Sequence, residues 1–171
     1  MFARPDARHH QIAYVTNDID AAIAVFERDY GAPGFHVFTT VGTGATAAGG
    51  PELKIALSNV GGVEIEIIEP IGDTAPLFRD GLAPGPALDI RFHHVCIRID
   101  GPLSAWDAHA ASIDTARHPI VFEGALGDDL RFFYTDERSR LGHYVEHVWM
   151  SPSLLAHLAR VIPRYPPEPQ A

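Results

Sequence analysis

The sequence predicts an α+β fold in which two tandem βαβββ repeats form an open, barrel-like mixed sheet around a central cavity. Three observations predict it. Extended and amphipathic segments follow one order in both halves, the order restarts near Phe92, and polar residues interrupt the apolar strands at matching places in each half. With 171 residues, 46% of them hydrophobic, the chain is long enough to bury the core that such a fold needs.

The elements follow in order. Gln11 to Thr16 mixes β-branched and aromatic residues and reads as a strand. Asn17-Asp18 supplies a capping residue, and Ile19, Ala22, Ile23 and Phe26 lay an apolar stripe along a helix from Ile19 to Tyr30. Gly31-Ala-Pro-Gly34 ends that helix. Extended segments follow at about 35–40, 53–59 and 63–68, the last two parted by the turn residues Asn59, Gly61 and Gly62. A Gly- and Pro-punctuated connector fills 71–91. Then the order returns: a strand from Phe92 to Ile99, a helix from Leu103 to about Ile113, and strands at about 118–124, 130–135 and 143–149, with Gly124 and Gly127 carrying the first turn. Ser151-Pro-Ser opens a C-terminal helix with Leu154, Leu155, Leu158 and Val161, expected to pack on the barrel or on a second subunit. The Pro-rich tail 163–171 is expected to be loosely ordered. The expected division is a single domain over 1–171, with repeats at about 9–70 and 92–149 and the helix and tail at 150–171.

Charge and targeting signals narrow the function classes. Lys and Arg number 13 against 22 Asp and Glu, so the net charge of -9 repels a phosphate backbone and argues against nucleic acid as a partner. The first ten residues carry no apolar signal region, and no stretch reaches the roughly 18 apolar residues of a membrane span. A cytoplasmic protein without a membrane partner is expected. The single cysteine, Cys96, permits no internal disulfide and no thiolate zinc site, so any metal would be held by oxygen and imidazole.

Alternation along the strands locates the chemistry, because residues i and i+2 share a face. Ile12 and Tyr14 suit the helix-covered face, which turns Gln11 and Ala13 the other way. Val95, Ile97 and Ile99 do the same for His94, Cys96 and Arg98. Ile65 and Ile67 bracket Glu66, and Val145 precedes Glu146. Gln11, Glu66, His94 and Glu146 are therefore expected to look into one concavity. Gln11 and Glu66 are 55 residues apart, and His94 and Glu146 are 52 apart, so the two repeats place their pairs alike. An amide oxygen, an imidazole and two carboxylates suit a divalent cation such as Zn, Ni, Co, Mn or Fe. Facing carboxylates raise each other's pKa, and a dication between them removes that cost.

Other polar residues have plainer readings. His10 competes with Gln11 as the first ligand, but turning it inward by a register change would flip Ile12 and Tyr14 into the cavity. His93, beside His94, is expected at the barrel surface. Glu64 shares the face of Glu66 and is expected near the mouth. Arg98 either binds a substrate anion or serves as a structural partner for an acid. Cys96 reads as a small buried hydrophobe, and Tyr144 and Phe132 as cavity or core wall. His143 and His147 fall on the face opposite Glu146 and are not expected as ligands.

The segments His10-Gln11-Ile-Ala-Tyr-Val-Thr-Asn-Asp18, Val63-Glu-Ile-Glu66, His93-His94-Val-Cys-Ile-Arg-Ile-Asp100 and Gly142-His-Tyr-Val-Glu146-His-Val resemble the vicinal-oxygen-chelate superfamily of glyoxalases, bleomycin-resistance proteins and dioxygenases. The resemblance spans roughly residues 9–149. It implies a metal held by one residue from the first and one from the fourth strand of each repeat, here Gln11, Glu66, His94 and Glu146. Many members carry His at the first of these positions, where this chain has Gln. The Gln/Glu/His/Glu set is similar to that of eukaryotic-type glyoxalase I, and methylmalonyl-CoA epimerases share the architecture.

The leading functional expectation is a metal-dependent lyase or isomerase acting on a small carbonyl or acyl-thioester substrate, with an enolate stabilised on the metal. Glu146 is the first candidate base and Glu66, on the opposite side, the second; the resemblance implies the same roles. A non-catalytic small-molecule binding or resistance protein is the alternative. A ring-cleaving dioxygenase ranks third, because its two-His, one-carboxylate set lacks a second His if Gln11 is the first ligand. The resemblance also implies a homodimer.

Overall fold

The computed structural model describes residues 6–40, 51–72 and 76–167. Two βαβββ units occupy most of it. The first comprises β1 (Ala7–Thr16), α1 (Ile19–Tyr30), β2 (His36–Thr39), β3 (Glu52–Val60) and β4 (Val63–Ile71). The short α2 (Pro76–Arg79) follows. The second unit comprises β5 (Ile90–Ile99), α3 (Leu103–Ala111), β6 (Ile120–Leu126), β7 (Leu130–Asp136), α4 (Arg138–Leu141) and β8 (Tyr144–Met150). α5 (Pro152–Val161) and the two-residue β9 (Arg164–Tyr165) complete the described chain.

Helix α1 forms where capping and periodicity agree. Asp18 accepts from the Ala21 amide at 2.9 Å, and Glu69 Oε2 accepts from the Ile19 amide at 3.1 Å, so two carboxylates serve the positive end of the helix. Gly31, at φ 69°, ends it in the left-handed region that favours glycine. Ile19, Ala22 and Phe26 are buried against the sheet, as their 3.6-residue spacing dictates.

The strands form one open, curled sheet in the order β2-β3-β4-β1-β5-β8-β7-β6, with β9 beside β3. Within each unit the first strand pairs in parallel with the fourth, β1 with β4 and β5 with β8. The units meet along the antiparallel β1 and β5. Each half therefore repeats the pairing of the other on either side of that seam.

The two faces of the sheet carry different cores. Ile67 and Ala56 meet α1 on the convex side, together with Ile19, Ala22 and Phe26. Ile97, Ile99, Val145 and Trp149 meet Trp106 of α3 on the same side. The alternate residues Leu53, Ile55, Leu57 and Ile68 form a third cluster with Phe78, Tyr134 and Tyr144. That third cluster lies in the concavity.

Several expectations need correcting. The connector 71–91 is more than a loop: α2 inserts Phe78, 2% exposed, into the concave core, and β5 already begins at Ile90. Gly124 lies inside β6, and the turn centres on Gly127. The tail is anchored through Tyr165, because the Asn59 amide donates to Pro163 O at 2.8 Å and the Gly61 amide to Tyr165 O at 2.7 Å. Residues 168–171 lie outside the described chain. α5 packs on the sheet, with Leu158 and Val161 against the concave core. Among the described residues, no helix is long and apolar enough to cross a membrane.

Candidate active site

The register of the β1/β5 seam sets the site. Gln11 pairs with Cys96 and Ala13 with His94, so these four side chains share the concave face. Across β1, Gln11 pairs with Glu64 and Ala13 with Glu66; across β5, Glu146 pairs with Cys96. Gln11, Glu66, His94 and Glu146 thus converge, as strand alternation predicted.

Alternation fails at two places, and both failures are β-bulges. Between His9 and Gln11 the strand β1 spends an extra residue, His10, opposite consecutive positions of β5. Between His94 and Phe92 the strand β5 spends His93 in the same way. Each bulge re-aims one side chain and shifts the β1/β5 register by one residue, and the second shift cancels the first. His10 therefore turns inward, its Nε2 3.6 Å from Glu64 Oε1, while Ile12 and Tyr14 keep their convex face. An inward His10 thus leaves its neighbours unflipped, contrary to expectation. His93 is likewise buried, and its expected place at the surface is wrong.

His93 orients His94. Its ring stacks on Phe78 at 5.2 Å, and its Nε2 lies 3.1 Å from Leu77 O. A carbonyl only accepts, so His93 Nε2 carries the proton. Burial pushes the His93 pKa down to about 3, and the neutral ring leaves Nδ1 as an acceptor. His94 Nδ1, 2.8 Å away, must then donate. The opposite nitrogen, His94 Nε2, faces the carboxylates.

That nitrogen is fully buried without a hydrogen-bond partner. It stands 3.5 Å from Oε2 of both Glu66 and Glu146. Burial pulls the His94 pKa down, but the two carboxylates outweigh it and hold it up at about 9. Burial lifts the Glu66 carboxyl above its ordinary range. Burial also acts on Glu146, yet His94, the Cys96 thiol and the Tyr134 hydroxyl together bring it below that range. The carboxylates are pushed in opposite directions although His94 is equidistant from them, because Tyr134 and Cys96 serve only Glu146.

Two of these separations match those between neighbouring ligands of a divalent cation. Bonds of about 2.0–2.2 Å place neighbouring N and O ligands about 3.0–3.5 Å apart. His94 Nε2 has that separation from both carboxylates, with its lone pair exposed in the neutral tautomer that His93 selects. Among the described residues, no group of three or more His, Cys, Asp or Glu side chains is arranged to hold a metal ion. Gln11 Nε2 donates to Glu66 Oε2, and turning that amide over would present its oxygen instead.

The carboxylates lie at one end of a cavity of about 400 Å³. Its walls include Leu53 and Ile55 of β3, Phe122 of β6, Phe132 of β7 and Leu158 of α5. Glu64, expected near the mouth, is buried in the wall, and burial beside Glu66 and Glu146 raises its pKa to about 8. Arg98 donates to Asp100 at 3.1 Å and does not line the cavity, which favours its structural reading. Cys96 is buried and its thiol is pushed well up, as a buried hydrophobe's would be. His147 packs on the convex side, 2.9 Å from His109, away from Glu146.

Sequence reasoning missed Tyr134 and the part played by His93. Tyr134 lies opposite Glu146 in the β7/β8 register, a pairing that needs the sheet to be known. The doubled histidine motif was visible, but the bulge that makes it useful was not.

Residues 10–134 match the family profile described as the Glyoxalase/Bleomycin resistance protein/Dioxygenase superfamily. No curated protein matches the chain. Among solved structures, the fold is similar to methylmalonyl-CoA epimerase from Mycobacterium tuberculosis, with a TM-score of 0.64 and 17% identity over 91% of this chain and 97% of that one. A variant of Streptomyces coelicolor methylmalonyl-CoA epimerase in complex with 2-nitronate-propionyl-CoA is similar at a TM-score of 0.56 and 20% identity, over 85% of this chain and 95% of that one. A hypothetical protein from Bacillus halodurans C-125 reaches a TM-score of 0.58 at 12% identity, over 85% and 95% respectively. With its duplicated βαβββ sheet and most of its length inside the family match, the chain belongs to the Glyoxalase/Bleomycin resistance protein/Dioxygenase superfamily.

Proposed function

We propose that the protein is a divalent-metal-dependent lyase or isomerase that moves a proton next to a carbonyl in a small carbonyl or acyl-thioester substrate. The observation that carries this reading is the pair of buried carboxylates, Glu66 and Glu146, on either side of His94 Nε2 at the end of an apolar cavity. Gln11, Glu66, His94 and Glu146 are the residues proposed to hold the cation, which when bound would polarise a carbonyl oxygen as a Lewis acid.

Glu146 is the proposed base. Donors from Tyr134 and Cys96 favour its ionised form and hold it in one orientation. Glu66, also 3.5 Å from His94 Nε2, is the second proposed base, acting from the other side. The apolar walls exclude water, which protects a carbanionic species from solvent protons. A dimeric cytoplasmic protein accompanies this reading on the strength of the family resemblance.

Deuterium exchange tests the proposal. Metal-loaded protein in D2O should exchange the proton next to the carbonyl in a panel of ketones, hemithioacetals and acyl thioesters, read by NMR. Glu146→Gln should slow exchange by about 10²–10⁴-fold. Stoichiometric metal should persist through chelator-free purification and be lost from Glu66→Ala and Glu146→Ala. Ligand binding without exchange in the loaded protein would refute catalysis in favour of a binding protein.

A further inference from the structure

We infer that the substrate of this cavity is an uncharged, largely apolar carbonyl compound rather than a coenzyme A or glutathione conjugate. The inference rests on the proposed function and narrows its substrate class. The cavity of about 400 Å³ is of the size that takes a small organic ligand.

The walls select against charge. Leu53, Ile55 and Leu57 of β3 face Phe122, Phe132 and Leu158 across the space, and no Lys or Arg lines it among the described residues. Its acids are Glu64, Glu66 and Glu146. A dication cancels two of these, and the basic side chains among the described lining residues are the imidazoles of His36 and His157, so a substrate carboxylate or phosphate finds no guanidinium or ammonium partner there.

Several cations are engaged elsewhere. Lys54 is bound to Asp20 at 3.0 Å, Arg91 to Asp89 at 2.7 Å and Arg98 to Asp100 at 3.1 Å. Arg117, Arg138 and Arg140 line a separate cleft of about 380 Å³ that includes Asp136, at the far end of β7 from the cavity-lining Leu130. Arg138 and Arg140 are themselves paired with Asp136 and Glu137. Phosphates and the glutathione carboxylates are ordinarily recognised by arginine or lysine, and this cavity presents neither.

Calorimetric titration of the full-length, metal-loaded protein tests this with three probes: neutral 2-hydroxypropiophenone, methylmalonyl-CoA, and the hemithioacetal of methylglyoxal and glutathione. The neutral ketone should bind at least tenfold more tightly than either conjugate, with an affinity unchanged within twofold between low and high salt. Phe132→Ala should weaken it about tenfold, and Phe132→Leu, which keeps the wall filled, should weaken it less. Tighter binding of a conjugate, strong salt dependence, or no binding of the ketone overturns the inference. Exchange in D2O separates it from the proposed function. Ketone binding without proton exchange leaves the inference standing and defeats the catalytic reading, whereas exchange of a conjugate but not of the ketone does the reverse.

Discussion

Replacing His93 with phenylalanine isolates the group that sets the tautomer of His94. Phenylalanine keeps a flat ring against Phe78 and Tyr144, whose centroids lie 5.2 and 4.9 Å from that of His93. It removes two buried hydrogen bonds, His93 Nε2–H to Leu77 O at 3.1 Å and His94 Nδ1–H to His93 Nδ1 at 2.8 Å. A buried donor or acceptor left unpaired costs about 1–3 kcal/mol. Two are stranded here, the Leu77 carbonyl and the His94 Nδ1–H, so His93→Phe should lose roughly 2–6 kcal/mol. Urea denaturation of the metal-free protein reads this loss. Metal affinity, measured by competition with a chelator of known strength, should fall about 10–100-fold, because the outer partner of a ligating histidine fixes its orientation and basicity. A variant that folds less stably but binds metal within twofold of the parent would refute the argument that His93 presents His94 Nε2 to a cation.

Other perturbations have equally definite outcomes. Phe78→Ala should lose about 3 kcal/mol, the low end for a buried phenylalanine because one side of the ring already borders the cavity, as a lowered urea midpoint would show. In the metal-free protein, His10 at about 4, and His93 and His147 at about 3, titrate below the ordinary value of 6.5. The unfolded chain therefore binds protons first, and thermal unfolding should show stability falling as pH drops from about 6.5 toward 3. Glu64 has the opposite sign. Its folded pKa of about 8 lies above the ordinary 4.5, so its contribution is intact below 4.5 and is lost as pH rises through 8. Glu64→Gln should consequently stabilise the metal-free protein at pH 8, by an amount on the order of a few kcal/mol, and change it little at pH 4.5; equal effects at both pH values would show that burial of this carboxyl is not the cause.

The duplicated fold and the four convergent residues were legible from local rules. Period-two alternation around Ile65, Ile67, Ile97 and Val145 settles which side of each strand is apolar, and that assignment carries Glu66, His94 and Glu146 to the other side wherever the strands pair. Asp18 and Gly31 mark the ends of α1 in the same local way. Alternation contains no information about an extra residue in a ladder. The inward turns of His10 and His93 depend on how β1 and β5 are paired, and bulges arise between strands rather than within one. Tyr134 opposite Glu146 and Phe78 over His93 likewise come from elements that meet only when the sheet curls. The sequence by itself determined that Gln11, Glu66, His94 and Glu146 share the concave face, because that follows from backbone geometry within each regular strand segment. Only the tertiary structure decided which of them act on one another, because the tautomer of His94, the opposed pKa shifts of the two carboxylates and the largely apolar walls all depend on contacts between distant segments.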